Sequence, residues 1–284
     1  MKTILIATDF SDAAHNATLY AAELAKVFNA RLILFSAYEQ VSVPISEIPV
    51  LTLDEISIRV KRELEDEKRL LTKGNGLLVE TGSKPGVAAT CILQAIEENK
   101  VDIIIAGMKK SVSAIRRIFG STVTALIKKL PVPLLVVPED ASFRYISAMA
   151  LANETDVPPD SDPHLLNILR EIGERFHSKL YLVRVTKDRF QEAYEVLNRP
   201  FKINRMVRSL DPVYECIEGK DVPQALTDFT EAYHINLLAL LRPQHTLLER
   251  WFIKSTTRTV IFESPIPLLI LPERQKIAGT QTEA

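Results

Sequence analysis

The sequence predicts an α/β chain of two tandem doubly wound domains, each a five-stranded, mainly parallel sheet with helices on both faces. Three observations carry this. First, one pattern occurs twice. Pro131–Glu139 reads PVPLLVVPE and Pro265–Glu273 reads PIPLLILPE, identical at six of nine positions and 134 residues apart (265 − 131). The same offset lays VDIIIAG (Val101–Gly107) on INLLALL (Ile235–Leu241). A period this long marks two copies of a whole domain rather than a solenoid. Second, short unbroken apolar runs alternate with helical segments, as in a parallel sheet covered on both faces by right-handed crossovers. Third, the 284 residues divide into halves of roughly 140, each long enough to bury a core.

The first domain is expected over residues 1–140. Ile4–Thr8 is a strand. A helix follows, with Ser11 or Asp12 as N-cap and Ala14, Ala17, Ala21, Leu24, Ala25 and Phe28 on one face. Arg31–Tyr38 is the second strand. Glu39–Thr52, with Pro44 and Pro49, reads as an irregular insertion, and the charged run Asp54–Thr72 as an exposed helix. Gly76–Gly82 is expected as the third strand, Val87–Asn99 as a helix, Val101–Gly107 as the fourth strand, Ser121–Lys129 as a helix and Val132–Val137 as the fifth strand.

A short linker at about Glu139–Arg144 leads to the second domain, residues 144–273. Its strands are Tyr145–Asn153, Lys179–Val185, Val213–Gly219, Ile235–Leu241 and Ile266–Leu271. Asp162 then Pro163 is a cap-plus-N1 signal for a helix with Leu165, Ile168, Leu169, Ile172 and Phe176 as its apolar stripe. Arg189–Asn198, Val222–Tyr233 and Ser255–Phe262 are the other helices; Arg199–Asp211 receives no assignment. The polar tail, residues 274–284, is expected to be disordered.

Composition narrows the function classes. Apolar content of 46% and charged content of 25% are ordinary for a globular chain. A net charge of −1 argues against a dedicated nucleic-acid binder. No apolar run reaches the ~18–20 residues of a membrane span, and the MKTILIATDF start lacks the features of a signal peptide. Cys91 and Cys216, one in each half, form neither a disulfide framework nor a metal spacing, which fits idle thiols in a reducing cytoplasm.

In a doubly wound sheet, ligands bind beyond the carboxyl ends of the strands at the topological switch point. Three first-half segments converge there: Asp9 after strand one, Gly107 at the end of strand four, and Gly120-Ser121-Thr122 opening the helix before strand five. A helix N-terminus offers unpaired N–H groups and the positive end of a dipole to an anion. Glycine permits close backbone approach to a phosphate, and hydroxyls add donors. Asp9 would accept hydrogen bonds from a base or ribose.

On ILIATDFSD (Ile4–Asp12) and on the spaced motif running from Gly107 to Ser121, the first half resembles the universal stress protein family. Nucleotide-binding members of that family carry G-x2-G-x9-G-S/T. Here the motif reads Gly107, Met108-Lys109, Lys110, Ser111–Phe119, Gly120, Ser121. The resemblance implies a tandem member with an adenine nucleotide alpha hydrolase-like fold. It also implies that ATP, with Mg²⁺, would lie with its adenine or ribose end on Asp9 and its base beside Ala37, where members often have valine. Gly107, Gly120, Ser121 and Thr122 would line ribose and phosphates. Lys110 departs from the pattern, standing where binding members have the second glycine. Either its side chain fills the phosphate pocket, or its ammonium pairs with phosphate as a point charge.

The offset of 134 turns Gly107, Lys110 and Gly120 into Leu241, Gln244 and Lys254, leaving only Ser255 and Thr256, while Asn153 stands near the place of Asp9. The second site therefore reads as degenerate. His15 reads as a half-exposed helix residue, and Gly82–Gly86 as the turn from the third strand into its helix, too short for a P-loop. Trp251 and Phe252 read as packing residues.

The expected function is that of a cytoplasmic stress-response regulatory or binding protein, not an enzyme, with ATP in the first domain only. A nucleotide-free scaffold recognising an unidentified protein partner is the alternative, favoured by Lys110 and the degenerate second half. Slow ATP hydrolysis or phosphoryl transfer would need Mg²⁺ and a positioned water, with only Asp9 and Lys110 to assist. Family members often dimerise through the final strand, so the two halves are expected to form a pseudo-dimer in which those edge strands cover each other, with homodimerisation of the whole chain left open.

Overall fold

The computed structural model describes residues 1–39, 52–73, 76–109, 121–152, 164–186, 202–241 and 266–272. They form two compact units, the first built mainly on residues before Tyr145 and the second mainly on those from Tyr145 onward.

The first unit runs β1 (Thr3–Ala7), α1 (Asp12–Phe28), β2 (Arg31–Tyr38), α2 (Leu53–Thr72), β3 (Val79–Pro85), α3 (Ala88–Asn99), β4 (Ile103–Met108), α4 (Ser121–Lys129) and β5 (Leu134–Pro138). Its strands lie in the order β3-β2-β1-β4-β5, and every adjacent pair is parallel. The central strands are buried on both faces. Ile4, Leu5, Ile6, Ile103, Ile104 and Ile105 are fully inaccessible, each stabilising the fold by about 1.5–3 kcal/mol. That is why they read as apolar runs without alternation.

Local chemistry sets the helix ends. Ser11 caps α1, its side chain accepting from the Ala14 amide, and Asn29 closes it in the left-handed conformation. The α1 face carrying Ala14, Ala17, Ala21, Leu24 and Ala25 is buried, while Phe28 is half-buried. Small residues let this helix lie close on the sheet. Thr52 and Glu55 form a reciprocal capping box at the start of α2, and the Thr52 backbone and hydroxyl donors hold the Glu55 carboxyl below its ordinary range.

The third strand departs from expectation. It spans Val79–Pro85 instead of Gly76–Gly82, in register with Leu32–Tyr38 of β2. As an edge strand it needs no apolar run, and it tolerates Pro85 at its end. The Gly82–Pro85 stretch is therefore strand, and the turn falls on Gly86, at φ +127°.

The second unit runs β6 (Ala148–Ala152), α5 (Asn167–Phe176), β7 (Lys179–Thr186), a short α6 (Lys202–Met206), a 3-10 turn (Arg208–Leu210), β8 (Val213–Glu218), α7 (Val222–Ala232), β9 (Leu237–Leu241) and β10 (Leu268–Leu271). Its order is β10-β9-β6-β7-β8, again all parallel. The stripe Leu165, Ile168, Leu169, Ile172 and Phe176 is buried. The stretch without a sequence assignment becomes α6 and the 3-10 turn. Leu210 sits over Gly173 of α5, where an added Cβ would come within 2.7 Å of it, and Ser209 donates to Glu174 at 2.7 Å.

Several expectations lie outside the described residues: most of the insertion after β2, the Asp162-Pro163 cap, the helices expected at 189–198 and 255–262, Trp251 and Phe252, and the tail.

Candidate functional site

Pairing register fixes which residues reach the carboxyl edge of the first sheet together. Ala7 of β1 is level with Phe35 of β2 and with Ala106 of β4. Asp9 follows the end of β1 by two residues, and Ala37 and Gly107 lie near the carboxyl ends of β2 and β4. β1 and β4 are the strands between which the winding order reverses, so Asp9 and Gly107 stand at the switch point.

The turn from β1 into α1 is built by short side-chain bonds. Thr8 is buried, and its Oγ1 accepts from the Phe10 amide at 3.0 Å. Asp9 is exposed, and its Oδ1 accepts from the Ser11 amide at 3.1 Å. Phe10 between them has φ +60°, a conformation that costs a bulky L-residue on the order of 1 kcal/mol or more. Sequence reasoning identified Asp9 and the Ser11 cap but missed Thr8 and Phe10. The Asp-Phe-Ser string gives no local signal that its aromatic member is left-handed.

Gly107 has a packing role. A Cβ there would lie 2.2 Å from the Ala13 carbonyl oxygen and 2.7 Å from the Ala14 nitrogen. The first turn of α1 rests directly on the end of β4, and only glycine leaves room. Asn16 reinforces the seat, donating to the Pro138 and Ala141 carbonyls, both at 2.9 Å. Glu139 donates its amide to Met108 at 2.9 Å, which ties the exits of β4 and β5 together.

Ala37 is half-buried near the end of β2, level with Lys84 of β3, and the Gly86 amide closes on Tyr38 at 2.9 Å. The Lys84 ammonium pairs with Glu98 on the surface. Ser121 opens α4, and Thr122 is half-buried in its first turn. Lys110 and Gly120 lie outside the described residues. The structure thus brings Asp9, Ala37 and Gly107 to one edge and places Ser121 and Thr122 at a helix start.

His15 is half-exposed, as expected, and its Nδ1 lies 3.1 Å from Glu67 Oε1. Glu67 is buried, and its other carboxyl oxygen has no partner among the described residues. Cys91 is buried, and burial raises its thiol pKa. No group of three or more His, Cys, Asp or Glu side chains suited to a metal occurs among the described residues.

The second sheet repeats the register with different lengths of chain between its strands. β4 and β9 differ by 134 (237 − 103), whereas β1 and β6 differ by 145 (149 − 4). Leu241 therefore occupies the place of Gly107, each pairing with the equivalent residue of the final strand, Leu271 and Val137. The place of Asp9 falls one residue beyond Asn153, which was expected near it. Ala152 corresponds to Ala7, so by count Asn153 corresponds to Thr8, and Glu154 to Asp9. Both lie beyond the described end of β6.

Residues 1–138 match the family model described as the universal stress protein family. A universal stress protein of Methanocaldococcus jannaschii is 29% identical over 140 residues, covering 48% of this chain and 81% of its own. One from a Synechocystis species is 27% identical over 137 residues, covering 48% of this chain and 85% of its own. Among solved structures, a universal stress protein of Archaeoglobus fulgidus aligns with a TM-score of 0.70 at 16% identity, covering 96% of this chain and 98% of its own. At that identity the likeness speaks to the fold.

Proposed function

We propose that the chain is a tandem member of the universal stress protein family, whose model matches residues 1–138, and that its first half is an adenine-nucleotide-binding regulatory module acting in the cytoplasm, binding ATP without turnover. The observation that carries the proposal is that β1, which Asp9 follows, and β4, which holds Gly107 near its end, lie side by side at the switch point of a β3-β2-β1-β4-β5 sheet, where such folds hold ligands.

The residue types suit the ligand. The exposed Asp9 carboxylate accepts from base or ribose donors, Ala37 leaves room beside the base, and Thr122 lies at a helix start suited to phosphate. Ser121 opens the same helix, and Gly120 precedes it in the sequence. Lys110 either pairs with a phosphate or occupies its place. Bound Mg-ATP would supply the phosphate charge that this end of the sheet is suited to receive.

A second reading has its own support. Gly107 is explained by the α1 backbone resting on it, so that motif glycine needs no ligand. This favours a nucleotide-free scaffold for another protein.

Calorimetric titration of the intact chain with Mg-ATP separates the two, after mass spectrometry has checked for carried nucleotide. The proposal expects one site per chain, lost in Asp9→Ala. Absence of heat with no carried nucleotide would leave the scaffold reading.

A further inference from the structure

Among the described residues, six non-glycine residues have positive φ. Asn29, Lys100, His177, Asp211 and His234 each follow the end of a helix or 3-10 turn, whereas Phe10 precedes a helix. Helix ends enter the left-handed region to satisfy their last carbonyls, and no such reason exists at residue 10. Phe10 is also a bulky aromatic, for which the conformation is an outlier.

The bonds around it show what the conformation achieves. The Phe10 amide turns back to Thr8 Oγ1 at 3.0 Å, and the next amide, Ser11, turns back to Asp9 Oδ1 at 3.1 Å. Ser11 then caps α1. Thr8 is itself fixed, buried and donating its amide to Phe35 of β2 at 3.0 Å. The chain reverses between an anchored strand end and an anchored helix start, and Asp9 sits on the bend.

We propose that the left-handed backbone of Phe10 makes it a positioning residue for Asp9. The reversal brings the Ser11 amide onto one carboxylate oxygen and holds the group at the carboxyl edge of the sheet. The functional meaning of this rests on the nucleotide reading above; the positioning does not.

The test uses the Ser11 amide proton, whose NMR shift follows the titration of Asp9 in the wild-type chain when the two are bonded. Glycine adopts the left-handed region freely, so Phe10→Gly keeps the Ser11 response. Valine is β-branched and enters it worst, so Phe10→Val loses most of the response and weakens Mg-ATP affinity about tenfold, the equivalent of one charge-assisted hydrogen bond. An undiminished response in Phe10→Val overturns the proposal. If Phe10→Val does not fold, the Gly and Ala variants decide. Phe10→Gly is expected to melt above Phe10→Ala and to keep the response; a glycine variant that melts no higher, or that loses the response, overturns it. If the wild-type chain binds no Mg-ATP while the Ser11 pattern holds, the nucleotide reading falls and the positioning stands.

Discussion

Asp102 in the first half and Asn236 in the second perform one task at the amino edge of their sheets. Asp102 Oδ2 accepts from the amides of Lys2 at 2.6 Å and Thr3 at 3.0 Å. Asn236 Oδ1 accepts from those of Ser147 at 2.9 Å and Ala148 at 3.0 Å. The surrounding backbone repeats as well: Asp102 donates to Thr3 and Asn236 to Ala148, Arg31 to Lys2 and Lys179 to Ser147, Ala30 to Ala25 and Ser178 to Gly173. The carboxyl edge differs. The first half seats the α1 backbone on Gly107, and the second has Leu241 there. A Cβ excludes that seating. Consistently, α5 begins at Asn167, whose first-half counterpart by the β2–β7 offset of 148 (179 − 31) is Leu19, inside α1 (167 − 148). The amino edge is alike in the two halves, and the carboxyl edge, where doubly wound sheets hold ligands, differs.

The largest way to break this comparison is to give the first half the residue type of the second. Gly107→Leu drives side-chain atoms into the Ala13 carbonyl, and is expected to destabilise the chain by about 3 kcal/mol or more. A lowered melting temperature for the intact chain checks it, and an unchanged one would remove the seating argument. Leu241→Gly has no such clash to relieve and should not extend the effect to the second half.

Next in size are the binding effects. Gly120→Val is expected to abolish Mg-ATP binding in calorimetry while the far-ultraviolet circular dichroism stays that of the wild type; retained affinity would dispose of the proposed phosphate end. Lys110→Gly separates the two roles of that lysine. Binding tightens if the side chain fills the pocket, and weakens if the ammonium pairs with phosphate.

At the amino edge, Asp102→Ala removes an acceptor serving two amides and should cost about 1–3 kcal/mol. Asp102→Asn copies the second half and should cost less than ~1 kcal/mol. Urea denaturation of both variants checks this, and equal losses would show that the charge, not the acceptor geometry, matters.

The smallest expected effect concerns the two thiols. Burial raises the Cys91 pKa, so at pH 8 it carries less thiolate than an ordinary cysteine, and it is also shielded. Cys216 is half-buried. Alkylation of the native chain, followed by mass spectrometry, should modify Cys216 first; faster labelling of Cys91 would contradict its environment.

Much of the architecture was legible in the sequence. The strand cores of Arg31–Tyr38 and Ile103–Gly107 and the helix Ser121–Lys129 follow from apolar runs and periodicity, because strands buried on both faces must be apolar along their whole length. The Ser11 cap was legible because capping is local chemistry. β3 was misplaced by three residues at each end because an edge strand takes its limits from its neighbour. Its VETGSKP sequence becomes strand only by pairing with β2.

By itself the sequence determined the repeat, the α/β class, the family resemblance and Asp9, Ala37, Gly107, Lys110, Gly120, Ser121 and Thr122 as candidates, since all of these reside in residue order and type. Tertiary structure alone decided that Asp9 and Gly107 stand at the carboxyl ends of neighbouring strands where the sheet reverses and that Gly107 carries the α1 backbone. It also decided that Ala152 takes the register place of Ala7 in the second half, and that Phe10 is left-handed. The physical reason is common to all four. Each depends on which backbone lies against which across tens of residues of intervening chain, and pairing register and close packing fix that contact without leaving a mark on the local sequence.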